Sequence, residues 1–416
     1  MSILIKKGRV IDPANKIDAV MDVLVENGVI KLTAPDISPT SHNNAEIIDA
    51  KGMWVVPGLI DMHVHLRDPG QLHKETIATG TRAAAAGGFT TVCAMPNTEP
   101  TADDASVINY IITKAAKEGI VNVFPVGSIT KGLNGKELSD FKAMKAAGIC
   151  AVSDDGKTVE DAALYKAAME QAAALGLPVL AHCEDVWLAG TTPAAEEIII
   201  ARDIILSRIT GAKLHICHVS TARGVELIQK AQEEGHNVTA EVTPHHFTLT
   251  AEDMTEPNPN YKMSPALRDK NDKDAVRRAL KNNVISVIAT DHAPHHKDEK
   301  GMGFEKAPNG VIGLETAVPM ALTELVFTGE ITPSELIAKF TTEPARILCL
   351  DKGHLSPGAV ADITIINPDK EHVIGENTFF GLSRNSPFFG RRVRGITEHT
   401  IVSGKIVYCE RETSSA

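Results

Sequence analysis

The middle of the chain alternates, and that alternation constrains the fold more than any other feature. Between residues 55 and 355, eight apolar runs of strand character fall at 55–66, 90–95, 121–129, 149–154, 178–182, 213–219, 238–243 and 284–290. Each is followed by a stretch of helical character, most clearly at 75–86, 103–118, 159–175, 193–209 and 222–234. Gly87, Gly119, Gly176, Gly211 and Gly235 stand where these helices should end, the position that favours a residue without a Cβ. Eight strand–helix repeats over this length predict an α/β fold, a (β/α)8 TIM barrel. The competing doubly wound sheet should carry a glycine-rich phosphate loop after its first strand. Here that strand ends in Asp61-Met62-His63-Val64-His65.

The two ends of the chain are different. Short strand runs at 3–5, 23–25, 29–32 and 47–49 are separated by turn residues such as Asn27-Gly28. The tail repeats the pattern at 362–366 and 395–407, with Ser403-Gly404 as a hairpin turn. We therefore expect a small β-sandwich domain built from 1–54 and 356–416, with the barrel over 55–355. A net charge of -11 and the lack of any Lys/Arg run argue against a nucleic-acid groove. The N-terminus has no apolar signal segment, and no run is long enough to cross a bilayer, so a cytoplasmic location with no membrane partner is expected. The scattered cysteines Cys93, Cys150, Cys183, Cys217, Cys349 and Cys409 include no CxxC pair and suit reduced thiols.

His63 and His65 are two apart at the end of strand 1, so their side chains point the same way. Two histidines alone would not define a metal site. Other candidate ligands recur at strand ends: Asp154-Asp155 after strand 4, His182 after strand 5, His218 after strand 6 and Asp291 after strand 8. In a barrel these ends gather at one mouth. Imidazole with carboxylate suits Zn²⁺ or a similar ion. The set divides between two metals: His63, His65 and Asp291 for one, His182 and His218 for the other, and a strand-4 aspartate between them. Paired metals would share a hydroxide and polarise a carbonyl.

The run from Asp61 through Leu66-Arg67-Asp68-Pro69-Gly70 resembles the signature of dihydroorotases of the bacterial class I type, cyclic amidohydrolases of the metal-dependent amidohydrolase superfamily. Met95-Pro96-Asn97-Thr98, His182-Cys183-Glu184-Asp185, His218-Val219-Ser220, the strand-8 motif from Ala289 to His295, Ser386-Pro387-Phe388 and Ile401-Val402-Ser403-Gly404-Lys405 follow in that family's order. The resemblance spans nearly the whole chain. It implies reversible hydrolysis of (S)-dihydroorotate to N-carbamoyl-L-aspartate in pyrimidine biosynthesis. It further implies two zinc ions per chain bridged by Asp155 and hydroxide. His63 and His65 would hold the first ion, His182 and His218 the second, and Asp291 would be both ligand and general base. His65, Arg67, Asn97, Ser264, His295, Asn309 and Gly310 would contact substrate, with Arg67, Asn97 and His295 on its carboxylate. The resemblance allows a homodimer and an association with aspartate transcarbamoylase.

Two departures stand out. Ser264 occupies a position where the family usually has Asn, and its shorter hydroxyl would reach substrate through water. The segment between Asp185 and Pro193 is shorter than the family's. Hydantoinases, dihydropyrimidinases and allantoinases are the nearest alternative, but they act on rings with no carboxylate for Arg67 to bind. Related hydantoinases also bridge their metals with a carboxylated lysine, where this chain has an acid. A catalytically dead scaffold is the other alternative, and six intact ligand positions argue against it. His245 and His246 are expected to be structural, His42, His73, His296 and His399 to lie at the surface, and Trp54 and Trp187 to pack.

Overall fold

The computed structural model describes residues 2–39 and 45–410. His42 lies outside these. Among the described residues the strands form two eight-stranded sheets.

The first sheet joins both ends of the chain. It contains β1 (Ser2–Asp12), β2 (Ile17–Glu26), β3 (Val29–Ala34), β4 (Glu46–Asp49) and β5 (Trp54–Pro57) from the N-terminal side. From the C-terminal side come β14 (Ile363–Val373), β15 (Arg392–Val402) and β16 (Lys405–Cys409). The order is β16-β15-β14-β5-β1-β2-β3, with β4 beside β1. Ile30 of β3 and Ile401 of β15 lie near opposite ends of that path yet share one buried core with Ile3, Val23, Val55 and Ile363. An antiparallel bridge between Val29 and Val360 joins β3 to the segment that leads into β14. The sheet thus doubles over its own core.

The second sheet is the barrel: β6 (Leu59–Val64), β7 (Phe89–Ala94), β8 (Asn122–Gly127), β9 (Ala151–Val152), β10 (Val179–Ala181), β11 (Leu214–Ile216), β12 (Val238–Val242) and β13 (Val287–Ile288), all parallel and in chain order. Every residue of β6, β7, β10, β11 and β13 is buried, as expected for strands covered on both faces. Met62, Cys93, Cys150, Leu180, Cys217 and Val287 fill the interior, and a larger apolar shell packs strands on helices. The ring closes where Val64 pairs with His292 and where Asp61 accepts the Thr290 hydroxyl at 2.5 Å.

The expected first strand, 55–66, is two strands. Trp54–Pro57 pairs with Ile363–Ile366 in the terminal sheet, and Leu59–Val64 opens the barrel. Both halves are fully buried, so no change in apolar period marks the crossing. Gly58 sits at the junction, where a Cβ would come 2.2 Å from the Thr90 hydroxyl. Helix ends follow the expected chemistry with two exceptions. Gly176 and Gly211 close their helices at φ 70 and 73, whereas Gly87 stays right-handed at φ -75 and Gly119 is extended. Asp104, Asp161 and Thr221 cap helix N-termini with side-chain oxygens, each worth about 1 kcal/mol.

All six cysteines are free; Cys349 and Cys409 are exposed and the others buried. Trp54 packs in the core, but Trp187, expected to pack, is 82% exposed at the tip of the short turn after Asp185. Among the described residues no helix is long and apolar enough to cross a membrane.

Candidate active site at the barrel mouth

The C-terminal ends of the barrel strands bring His63, His65, Asp155, His182, His218 and Asp291 together, all buried. His63 Nε2 lies 3.1 Å from Asp155 Oδ1 and 3.5 Å from Asp291 Oδ1. His65 Nε2 is 3.3 Å from Asp155 Oδ2 and 3.0 Å from Asp291 Oδ1. On the other side, His182 Nδ1 and His218 Nε2 each lie 3.7 Å from Asp155 Oδ1 and 3.0 Å from one another. Asp155 therefore stands between two groups of imidazoles. Its neighbour Asp154 turns away and accepts hydrogen bonds from the Ile129 and Thr130 backbone and from the Thr130 hydroxyl.

The donor set fits divalent metal. His63 Nε2 and Asp155 Oδ1 are buried without a hydrogen-bond partner, a costly state unless a cation satisfies both. His63, His65 and Asp291, and separately His63, Asp155 and His218, place ligand atoms within 4.8 Å of one another. The backbone is bent to achieve this. Arg67, His218 and Asp291 adopt φ values of 58, 35 and 47, a region that costs a side-chain-bearing residue about 1–3 kcal/mol and is tolerated where a site demands it.

Supporting groups fix the tautomers. His63 Nδ1 lies 2.6 Å from Glu241 Oε1, and His65 Nδ1 lies 2.8 Å from Asn97 Oδ1. Each acceptor takes the Nδ1 proton, so Nε2 is the atom each ring would offer a metal, in place of its own proton. Glu241 also accepts from His215 Nε2 at 3.1 Å, and His215 Nδ1 reaches the Thr239 hydroxyl. Glu241 and His215 were missed in the sequence. A charged residue inside the buried strand β12 was the available signal, because such a group needs a partner. Burial opposes ionisation of Asp155, but the His63 charge and the neighbouring imidazoles of His182 and His218 hold its carboxyl well below the usual range.

Burial likewise opposes ionisation of Glu241, yet His63 and His215 hold its carboxyl down at about 2. A depressed carboxyl stabilises the fold fully above its unfolded value near 4.5, and that contribution is lost as pH falls toward 2. Glu241→Gln should lose less stability across that acid window than the wild type. It should also weaken metal binding by about 10–100-fold, because His63 loses its anionic partner. A chelator-competition titration showing unchanged affinity would contradict this role.

A cavity of about 230 Å³ opens onto these ligands, lined also by Arg67, Asn97, Gly156, Ser264, Ala293, His295, Asn309 and Gly310. Arg67 is 8% exposed; its Nε donates to Pro294 O at 3.2 Å, and a terminal nitrogen lies 3.4 Å from His295 Nε2. Burial lowers its pKa to about 10, so it remains a cation at neutral pH. Burial and the Arg67 charge push His295 down to about 3, so it is neutral and its Nε2 can donate to Asn309 O at 2.8 Å. The Ser264 hydroxyl donates to Glu184, whose carboxylate lies 3.5 Å from His182 Nε2. Burial opposes its ionisation, but His182 and Ser264 hold Glu184 down to about 2. Glu184 is a third residue whose place the sequence did not reveal. His246 bonds Thr243 Oγ1 and Pro265 O, a structural arrangement, and His245 contributes to no ligand cluster found among the described residues. His73 and His296 lie toward the surface, while His399 is half-buried.

A parallel barrel with imidazoles and carboxylates converging on its C-terminal mouth defines a metal-dependent hydrolase. The dihydro-orotase-like family profile matches residues 52–192. A dihydroorotase of Trichlorobacter lovleyi is 46% identical over 428 aligned positions, covering 99% of this chain and 100% of that protein. A dihydroorotase of Geobacter metallireducens is 47% identical over 98% of this chain and 100% of that protein. Among solved structures, L-hydantoinase from Arthrobacter aurescens superposes with a TM-score of 0.89 at 27% identity, covering 99% of this chain and 96% of that one. The protein is a cyclic amidohydrolase. It belongs to the dihydroorotase family.

Proposed function

We propose that this chain hydrolyses (S)-dihydroorotate reversibly to N-carbamoyl-L-aspartate, a step of pyrimidine biosynthesis, with two zinc ions in the His–Asp cluster. The observation that carries the substrate is Arg67. A buried guanidinium that is cationic at neutral pH faces the cavity beside the ligand cluster, and dihydroorotate brings a ring carboxylate that its planar fork matches. The hydantoin and dihydropyrimidine rings named for the structural relatives supply no such charge. His63, His65 and Asp291 would hold one ion, His182 and His218 the other, and Asp155 would bridge them. Bound there, the pair would activate water and polarise the scissile carbonyl.

The chain's own groups would do the rest. Arg67, the Asn97 amide, neutral His295 and the backbone of Asn309 and Gly310 orient the ring so that its amide carbonyl faces the cluster. Asn97 both holds His65 through Oδ1 and leaves its NH2 for substrate. Asp291 takes the proton released when water attacks and delivers it to the ring nitrogen. Ser264, engaged with Glu184, would act on substrate only indirectly. The domain division we propose is that of the sequence, 1–54 with 356–416 around a barrel over 55–355; the pairing of Trp54–Pro57 with Ile363–Ile366 favours moving its first boundary to 57.

Arg67→Lys keeps the charge but loses the fork. It should reduce kcat/KM for dihydroorotate by about 1.5–3 kcal/mol of transition-state binding, the worth of a charged hydrogen bond. Dihydrouracil, which lacks the carboxylate, should be a very poor substrate of the wild type. Comparable turnover of the two rings would assign the chain to dihydropyrimidine hydrolysis instead.

A further inference from the structure

The segment between β14 and β15 belongs to the terminal unit, yet one of its side chains reaches the barrel mouth. Asn385 is 3% exposed. Its Oδ1 accepts from the His295 backbone N–H at 3.1 Å, and its Nδ2 donates to the carbonyls of Ala293 and Gly310, both at 3.0 Å. Its own carbonyl accepts from Ile312 N at 3.0 Å. One carboxamide therefore ties the loop after β13 to the loop at 309–312. These two loops carry His295, Asn309 and Gly310.

The partners dictate the side chain. A backbone N–H needs an acceptor and two carbonyls need donors, and only a neutral amide of this length supplies both. Aspartate would set an anion against two carbonyls, and an apolar residue would leave three buried groups unpaired. The fit between the loops is close: a Cβ on Gly310 would fall 2.8 Å from Ala293 Cβ and 3.1 Å from His295 Nε2. Asn385 itself is not part of the cavity wall.

We propose that Asn385 is a positioning residue that sets the spacing of the carboxylate pocket, holding His295 and the Asn309–Gly310 backbone in register with Arg67. It touches neither substrate nor metal ligand. The inference rests on the dihydroorotase reading of that pocket. The surrounding segment has other anchors: Leu382 N donates to Glu75, Phe380 N to Glu315, and the Ser383 hydroxyl to Lys74 O at 2.8 Å. Removing the Asn385 amide should therefore loosen the pocket without releasing the segment.

The test compares Asn385→Asp, which keeps volume, and Asn385→Ser, which keeps one short polar arm, with Ser383→Ala, which removes a bond of the same segment away from the pocket. Both Asn385 variants should keep wild-type metal content. Their KM for dihydroorotate should rise by about tenfold or more, with kcat within about threefold, the signature of lost substrate binding rather than lost chemistry. Ser383→Ala should leave KM unchanged. Unchanged KM in a folded, metal-loaded Asn385 variant would overturn the inference, as would an equal rise in Ser383→Ala or a fall in kcat that tracks metal loss. A wild type that fails to turn over dihydroorotate would remove the functional reading beneath it, a result distinct from all of these.

Discussion

Asp291→Asn should lose roughly a thousandfold in kcat in both directions while keeping most of its metal, the loss expected when a general acid–base group is removed. Asparagine preserves size and one oxygen near His65 but cannot accept a proton. Asp291 is 7% exposed, and its Oδ1 sits 3.0 Å from His65 Nε2 at the wall of the cavity that would receive substrate. Burial would raise its carboxyl, but the His63 charge and the His65 hydrogen bond hold it well below the usual range. It is therefore ionised at neutral pH, the state hydrolysis requires. Ring closure must begin with that carboxyl protonated. Through this carboxyl, closure should fall as pH rises while hydrolysis should weaken only in strong acid, and the Asn variant should be slow in both. If Asp291 were only a ligand, activity would fall in step with metal content. Paired elemental analysis and steady-state rates separate the two roles, and a metal-replete variant with near-normal turnover would eliminate the proton transfer.

Removing either His182 or His218 should lower metal content from two ions per chain toward one and cut activity by at least about a hundredfold, since metal assistance is worth several kcal/mol in the transition state. The two nitrogens face each other at 3.0 Å with Asp155 Oδ1 at 3.7 Å from each, so each imidazole is half of a small donor group. Both residues lie beyond the ends of β10 and β11, so alanine there should leave the barrel intact. Circular dichroism should be unchanged. Unaltered metal in both variants would defeat the assignment of a second ion.

The barrel was legible because its physics is local. Parallel strands buried on both faces are short apolar runs, and amphipathic helices with polar caps separate them. Chemical residues at strand ends were legible for the same reason: the hydrophobic run fixes the strand, and the fold sends every strand end to one mouth. His63 and His65 could be paired by the two-residue period of a strand. The path of residues 55–66 could not be read, because a strand leaving one sheet and entering another is equally apolar in both. The exposure of Trp187 was equally hidden, since nothing local tells whether a turn's indole has a surface to meet.

What the sequence by itself determined is the alternation, the inventory of ligands at strand ends and the presence of a cation, Arg67, next to them. Only the tertiary structure decided which atoms face one another: Asp155 toward the histidines while Asp154 caps a loop, Glu241 beneath His63, Glu184 behind His182 and Asn385 between two loops. The physical reason is range. Periodicity and capping depend on neighbours within a few residues, whereas a hydrogen bond from position 385 to positions 293, 295 and 310 exists only once the whole chain has closed around it.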